Sequence, residues 1–193
     1  ITGKIISRQE LTRKTPYHRP HSTELAGLDN IRGGDDRFYN NLFFAGTKIP
    51  EGQAAQVSRT AQRVVGYGLY VYDAREYSLQ AGGNVYGNGA QPYGKEANPF
   101  LLKDDDVKVE ILEEGEQVYL RLNGSSIPRQ AATKPVTTEL LGTARIANLL
   151  FENFDGKVLH VEIDYFSRKR NKNRPSPGPF EEPGTAPLNL RVW

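Results

Sequence analysis

The densest run of chemistry-bearing side chains lies between Thr15 and Arg37, TPYHRPHSTELAGLDNIRGGDDR. Two histidines, a glutamate, three aspartates and a tyrosine stand there among few apolar residues. Pro16 and Pro20 predict a loop of fixed shape rather than a strand. A shaped polar loop carried on a β scaffold is a favoured place for binding residues. His18 and His21, joined by Glu24 or Asp35, have the donor types of a metal site. Their spacing in a proline-bearing loop is not that of two histidines on one helix face. Imidazoles bonded to loop carbonyls are the better account of them, and neither a metal nor a cofactor is expected. Asp35 and Asp36 follow Gly33-Gly34 and precede Arg37. Adjacent strand residues point to opposite faces, so both carboxylates serve one site only if the backbone bulges. The favoured reading has one capping the turn through backbone amides while the other pairs with Arg37 or Arg32; the alternative has one of them bonding a substrate hydroxyl.

Other constellations are weaker. Cysteine is absent, which excludes a disulfide scaffold, a thiolate zinc site and a cysteine nucleophile. Asp104-Asp105-Asp106 lacks the glycine and glutamate that complete a calcium loop and reads as a solvated turn. His160, in VLHVEI, reads as a surface strand residue, and the GNGA at Gly87–Ala90 lacks the strand–helix context of a dinucleotide loop. No pair of carboxylates declares itself as the acid and base of a glycosidase. Arg168, Lys169, Arg170, Lys172 and Arg174 form a basic run, but the net charge is only +2 and no aromatic platform accompanies them. Nucleic acid is therefore not an expected partner. Mean hydropathy is −0.59, and no apolar run approaches the roughly 20 residues of a membrane-spanning helix, so no membrane partner is expected either.

The elements that must position these residues are short strands. Gly 19, Pro 12 and Tyr 10 sit beside β-branched and aromatic runs, a composition of strands and tight turns. The candidate strands are Arg37–Phe44, Gly68–Asp73, Gly83–Gly87, Val107–Leu112, Gln117–Leu122, Val136–Leu141 and Val158–Ile163. Gln53–Val64 lacks an apolar stripe and reads as loop with a short turn. VKVEIL and QVYLRL alternate in polarity about a glycine-bearing turn, which predicts an antiparallel hairpin with one solvated face. FYNNLFF and GGNVYGNGA share an asparagine–aliphatic–aromatic texture, with Asn41 and Asn84 in matching places. Asparagines stacked at one turn of successive coils hydrogen-bond along the axis, the pattern of a solenoid; a β-sandwich is the alternative. The proline-rich Ser167–Pro187 reads as an extended surface tail.

The block from Pro16 to Phe44, followed by GNVYGNGAQPYGKE, resembles the C-terminal third of right-handed parallel β-helix glycoside hydrolases, most closely the bacterial β-xylosidases of glycoside hydrolase family 120. The ending resembles the closing segment of those proteins, with Asp164-Tyr165-Phe166 followed by Arg170 and the turn Pro177-Gly178-Pro179-Phe180. Ser167 stands where the family usually has glycine. The resemblance implies an all-β fold: the C-terminal rungs of a right-handed parallel β-helix, with an antiparallel hairpin and an extended C-terminal tail. Residues 1–100 would hold the last rungs and their long polar loops. Residues 101–193 would hold the antiparallel strands, closing segment and tail, the two parts forming one unit.

The family's catalytic aspartate and glutamate belong to rungs preceding the Pro16 block, and the Glu-Val-Asn-His-Gly type of motif around the glutamate does not occur here. The resemblance thus implies no catalytic residue in this chain and no activity by the chain alone. The chain lacks methionine and opens Ile-Thr-Gly-Lys, so a preceding N-terminal part of the same protein is expected as its partner. Within the complete enzyme, Tyr17, His18, His21, Asp35, Asp36 and Arg37 are the candidates for contact with a xylo-oligosaccharide. A bacterial periplasmic or secreted location fits such a substrate, and a homo-oligomer stays open. The alternatives are a non-catalytic carbohydrate-binding domain and a purely structural β domain.

Overall fold

The computed structural model describes residues 1–46, 58–59, 62–103, 107–123, 128–185 and 187–193. Its first half runs through β1 (Ile5–Arg8), β2 (Glu10–His18), β3 (Leu25–Ile31), β4 (Arg37–Tyr39), β5 (Leu42–Phe44), β6 (Ser58–Arg59) and β7 (Arg63–Gly66). The second half contains β8 (Gln80–Gly82), β9 (Val85–Gly87), β10 (Phe100–Leu101), β11 (Lys108–Glu114), β12 (Gln117–Asn123) and β13 (Leu188–Arg191). Among the described residues the helical structure is a 3-10 turn, Leu69–Tyr72, and one α-helical turn, α1 (Thr138–Leu141). The all-β expectation is met.

Three passes of the chain stack in parallel. β4 lies beside β8, with Arg37 opposite Gln80 and Tyr39 opposite Gly82. β9 sits between β5 and β10, placing Val85 beside both Leu42 and Phe100. In each pass the residue two places before that row has positive φ: Asn40 at 57°, Gly83 at 65° and Asn98 at 55°. Asparagine and glycine tolerate this left-handed corner better than other residues. Gly83 has no substitute, because a Cβ there would lie 2.6 Å from Asn40 Oδ1 and 2.8 Å from Thr133 Cα. The next residues form the stacked amide pair that the sequence predicts. Asn84 Oδ1 accepts from Asn41 N at 2.9 Å and from Asn41 Nδ2 at 3.1 Å.

β5 and β9 are buried on both faces, so they read as apolar runs rather than as alternation. Leu42, Phe44 and Val85 face one core cluster, completed by Val107, Leu122, Ala131 and Leu188. Phe43 and Tyr86 face a second, with Leu69, Leu79, Ala90 and Tyr93. The Phe43 and Tyr86 rings stack at 5.1 Å and 11°. The remaining sheets are antiparallel: β1–β7–β6, the β2–β3 hairpin, and β11–β12–β13.

The β11–β12 hairpin follows its sequence pattern, closed by Gly115 with φ 65°. Other local expectations fail for identifiable reasons. The stretch predicted as a loop from Thr15 is mostly hairpin. Pro16 is accommodated opposite Leu28 in a two-stranded ladder with register breaks on either side, and Pro20 falls in the connection. Arg37–Phe44 is two strands, because Asn40 turns the corner between them. Gly68–Asp73 is a 3-10 turn, not a strand: Gly68 has φ 97°, and a Cβ there would stand 2.1 Å from the Gln91 carbonyl oxygen. Val136–Leu141 becomes α1 because Thr137 caps it, its hydroxyl accepting from Leu140 N at 3.1 Å. Val158–Ile163 makes isolated antiparallel bridges rather than a strand. Of Gln53–Val64, read as loop, Ser58–Arg59 and Arg63–Val64 are strand instead, in β6 and β7, which pair antiparallel; the remainder, apart from Gln62, and Asp104–Asp106 lie outside the described residues.

The basic, proline-rich tail is pinned rather than loose. Arg170 donates to the carbonyls of Ile163, Ser176 and Gly178, and Arg174 to those of Gln130 and Ala131. Leu188–Arg191, unforeseen in the sequence, then adds to the β12 edge. Ser167 occupies a left-handed position, φ 61°, where the resembled family carries glycine.

Candidate functional site

A cavity of about 460 Å³ opens where β1, β2, the turn after β3 and the segment after α1 meet. Gly33, Gly34 and Asp35 have φ of 74°, 87° and 60°, three left-handed residues in succession that swing the chain from β3 into β4. Gly34 is obligatory, since a Cβ would fall 1.7 Å from the Tyr77 carbonyl oxygen. This turn places Asp36 on the cavity wall, together with Tyr17 from β2, Tyr72 from the 3-10 turn, and Tyr77.

The two adjacent aspartates divide their work. Asp35 Oδ1 accepts from Arg37 Nη1 at 2.9 Å and its Oδ2 accepts from Arg145 N at 2.7 Å. Among the described residues no donor reaches the Asp36 carboxylate. Asp36 is exposed at its surface, yet desolvation of its carboxyl by the surrounding wall, reinforced by the Asp35 charge and opposed by Arg37, holds its pKa above the ordinary carboxylate value. Tyr72 is pushed up to about 12 by burial and then by Asp36, with Arg75 opposing. Tyr17 is raised by burial first and by Asp29 and Asp35 next. Tyr77 is fixed by donating its hydroxyl to Asp29 Oδ2 at 2.9 Å, and the Arg145 guanidinium lies 4.4 Å over its ring. The cavity therefore combines an unpartnered carboxylate acceptor with neutral phenols, and two guanidinium groups also line it, Arg8 and an Arg32 paired with Asp29 and Glu76. That surface suits a neutral polyol with apolar ring faces.

Of the six residues singled out in the sequence, Tyr17, Asp35 and Asp36 line this cavity together. Arg37 does not: its side chain is 5% exposed and turns inward. It donates to the carbonyls of Leu141 at 2.7 Å and Thr143 at 2.8 Å, and to the Asp35 carbonyl. His18 and His21 belong to the connection end of the β2–β3 hairpin, outside the cavity lining. His18 Nδ1 lies 3.1 Å from the Thr23 carbonyl, and His21 is exposed with φ 55°. Among the described residues no three metal-ligating side chains converge. Tyr72, Tyr77, Ala144, Ile146 and Phe151 are wall residues that sequence reasoning missed. They come from segments remote in the chain, and no local pattern marks them.

No protein-family model matches the chain, and no curated protein does. A solved structure is similar: the complex of XylC with xylose, at a TM-score of 0.80 and 31% identity over 96% of this chain. The chain spans about 30% of the length of that structure. It therefore shares the fold of a part of XylC.

Proposed function

We propose that residues 1–193 form the C-terminal part of a β-xylosidase-like glycoside hydrolase built on a right-handed parallel β-helix. The observation that carries this reading is the likeness to XylC, whose solved complex holds xylose, together with the resemblance of the Pro16–Phe44 block to family 120. The three parallel passes, their repeated left-handed corner and the Asn41–Asn84 amide pair support the fold half of the reading. The cavity around Asp36 supports the ligand half.

In this reading the chain contributes a wall, not the reacting carboxylates. One carboxylate from the preceding part attacks the anomeric carbon, while the other protonates the leaving oxygen and then activates water, retaining the anomeric configuration. Asp36, short of protein donors, accepts from sugar hydroxyls, and Tyr17 and Tyr72 offer ring faces to the C–H face of a pentose. The test is release of xylose from xylo-oligosaccharides by the complete polypeptide, with the product anomer read by NMR. Release of β-xylose, with none from residues 1–193 alone, is expected. No release by the complete polypeptide, or release of α-xylose first, would overturn the proposal.

A further inference from the structure

The segment from Leu141 to Phe151 closes one side of the cavity through Ala144, Ile146, Ala147 and Phe151. It is a small closed loop in its own right: Thr143 bridges Leu150, Ala144 N donates to the Leu149 carbonyl at 2.8 Å, and Asn148 N donates to the Ala144 carbonyl at 2.9 Å. Its polar attachment to the parallel stack runs through two neighbouring side chains. Arg37 holds the Leu141 and Thr143 carbonyls and lies 5.0 Å over the Phe151 ring. Asp35 accepts from Arg145 N at 2.7 Å and ties Arg37 back at 2.9 Å. Three further contacts help: the Thr138 hydroxyl of α1 donates to the Phe151 carbonyl at 2.6 Å, Ile146 packs so close to Gly27 that a Cβ there would lie 2.8 Å away, and Arg145 covers the Tyr77 ring. Among the described residues the Arg37–Asp35 pair is what grips the loop backbone from the turn that carries Asp36 and the start of β4.

We infer that Arg37 and Asp35 form a clamp that fixes the 141–151 loop as the far wall of the sugar cavity. Arg37 is then a positioning residue, which never touches the ligand and sets its affinity through the distance between Asp36 and the loop. This rests on the function proposed above as far as the ligand is a sugar; the clamp itself stands on the hydrogen bonds. The three donors of a lysine diverge from one tetrahedral nitrogen and do not span two loop carbonyls together with the Asp35 carbonyl and carboxylate as a planar guanidinium does, so the clamp is specific to arginine.

The test compares wild type with Arg37→Lys and Arg37→Met in the complete polypeptide. Hydrogen exchange is followed in peptides covering 142–151 and in those covering β5 and β9, and KM and kcat are measured on an aryl β-xyloside. The clamp predicts that exchange in 142–151 rises by about tenfold in Arg37→Lys and further in Arg37→Met, with β5 and β9 unchanged. It also predicts KM raised by about tenfold with kcat nearly constant. Unchanged exchange in 142–151, or a rise spread equally over the core strands, overturns the clamp. If Arg37→Met does not fold, Arg37→Lys decides alone. A wild type that hydrolyses no xyloside sinks the proposed function while the exchange comparison still judges the clamp.

Discussion

Glu96 places a carboxylate in the core, where Asn84 Nδ2 donates at 2.8 Å, Asn84 N at 3.3 Å and the Tyr86 hydroxyl at 2.5 Å. Burial raises its pKa more than these three donors lower it. The folded chain thus holds this proton to a higher pH than the unfolded chain does. The stability linked to it is fully present below the unfolded value of about 4.3 and is lost as pH rises through the folded value. Glu96→Gln should flatten that fall, which urea midpoints taken from pH 4 to 8 would show; an identical slope in the variant would contradict it. Asp164 has the opposite sign. Burial alone would raise it, but the amides of Glu181, Arg168 and Phe166 outweigh burial and lower it, so its contribution disappears in acid. Nearby, Ser167 sits at φ 61°, a region that strains any residue with a Cβ. Ser167→Gly should raise stability by about 0.5–1 kcal/mol, read as an upward shift in Tm. The sequence placed three of the cavity residues in one polar block, because Asp35, Asp36 and Tyr17 are near in chain and in space. It did not expose which aspartate is free, since that depends on Arg145, far along the chain.

Among the elements, the parallel stack depends on Asn84, which is fully buried. It accepts twice from Asn41 and donates to the Phe38 carbonyl and to Glu96, joining β4, β5 and β9 to the third pass. Asn84→Ala leaves Asn41 N and the Phe38 carbonyl without the Asn84 amide, leaves Asn41 Nδ2 with the Tyr39 carbonyl and takes one of three donors from the buried Glu96, and should cost about 3 kcal/mol. Asn41→Ala removes only a side-chain donor at the edge and should cost about 1 kcal/mol. Equal losses in urea unfolding would show that the amide pair does not organise the stack. Elements with regular polarity were legible: β11 and β12 alternate along their length and pair as that alternation requires. Elements defined by backbone dihedrals were not. GLYVYD has strand residues, yet Gly68 turns it into a 3-10 turn, and Pro16 hid a hairpin strand that tolerates it.

At the scale of the molecule, an apolar groove of about 560 Å³ runs beside β5, whose outer edge is paired by Ile1 through Leu42 O at 2.7 Å and Phe44 N at 2.8 Å, and faces Ile111, Leu120 and Leu190 of the antiparallel sheet. Ile111 is 62% exposed there, although it stands on the sheet's apolar face. An open apolar groove beside the parallel stack is what a further coil of a β-helix would cover. Residues 1–193 alone should therefore bind a hydrophobic dye and unfold at lower urea than the same residues within the complete polypeptide. Dye binding and stability equal in the two forms would remove the need for a covering coil. The central claim is that the cavity at Asp36 takes a pentose, and a crystal structure of the complete polypeptide soaked with xylose tests it most directly. The account predicts a xylose hydroxyl within about 3 Å of the Asp36 carboxylate. The sugar would lie between Tyr17 or Tyr72 and the 144–151 wall. Xylose bound where none of these residues reaches it, or no bound xylose at all, would contradict the account.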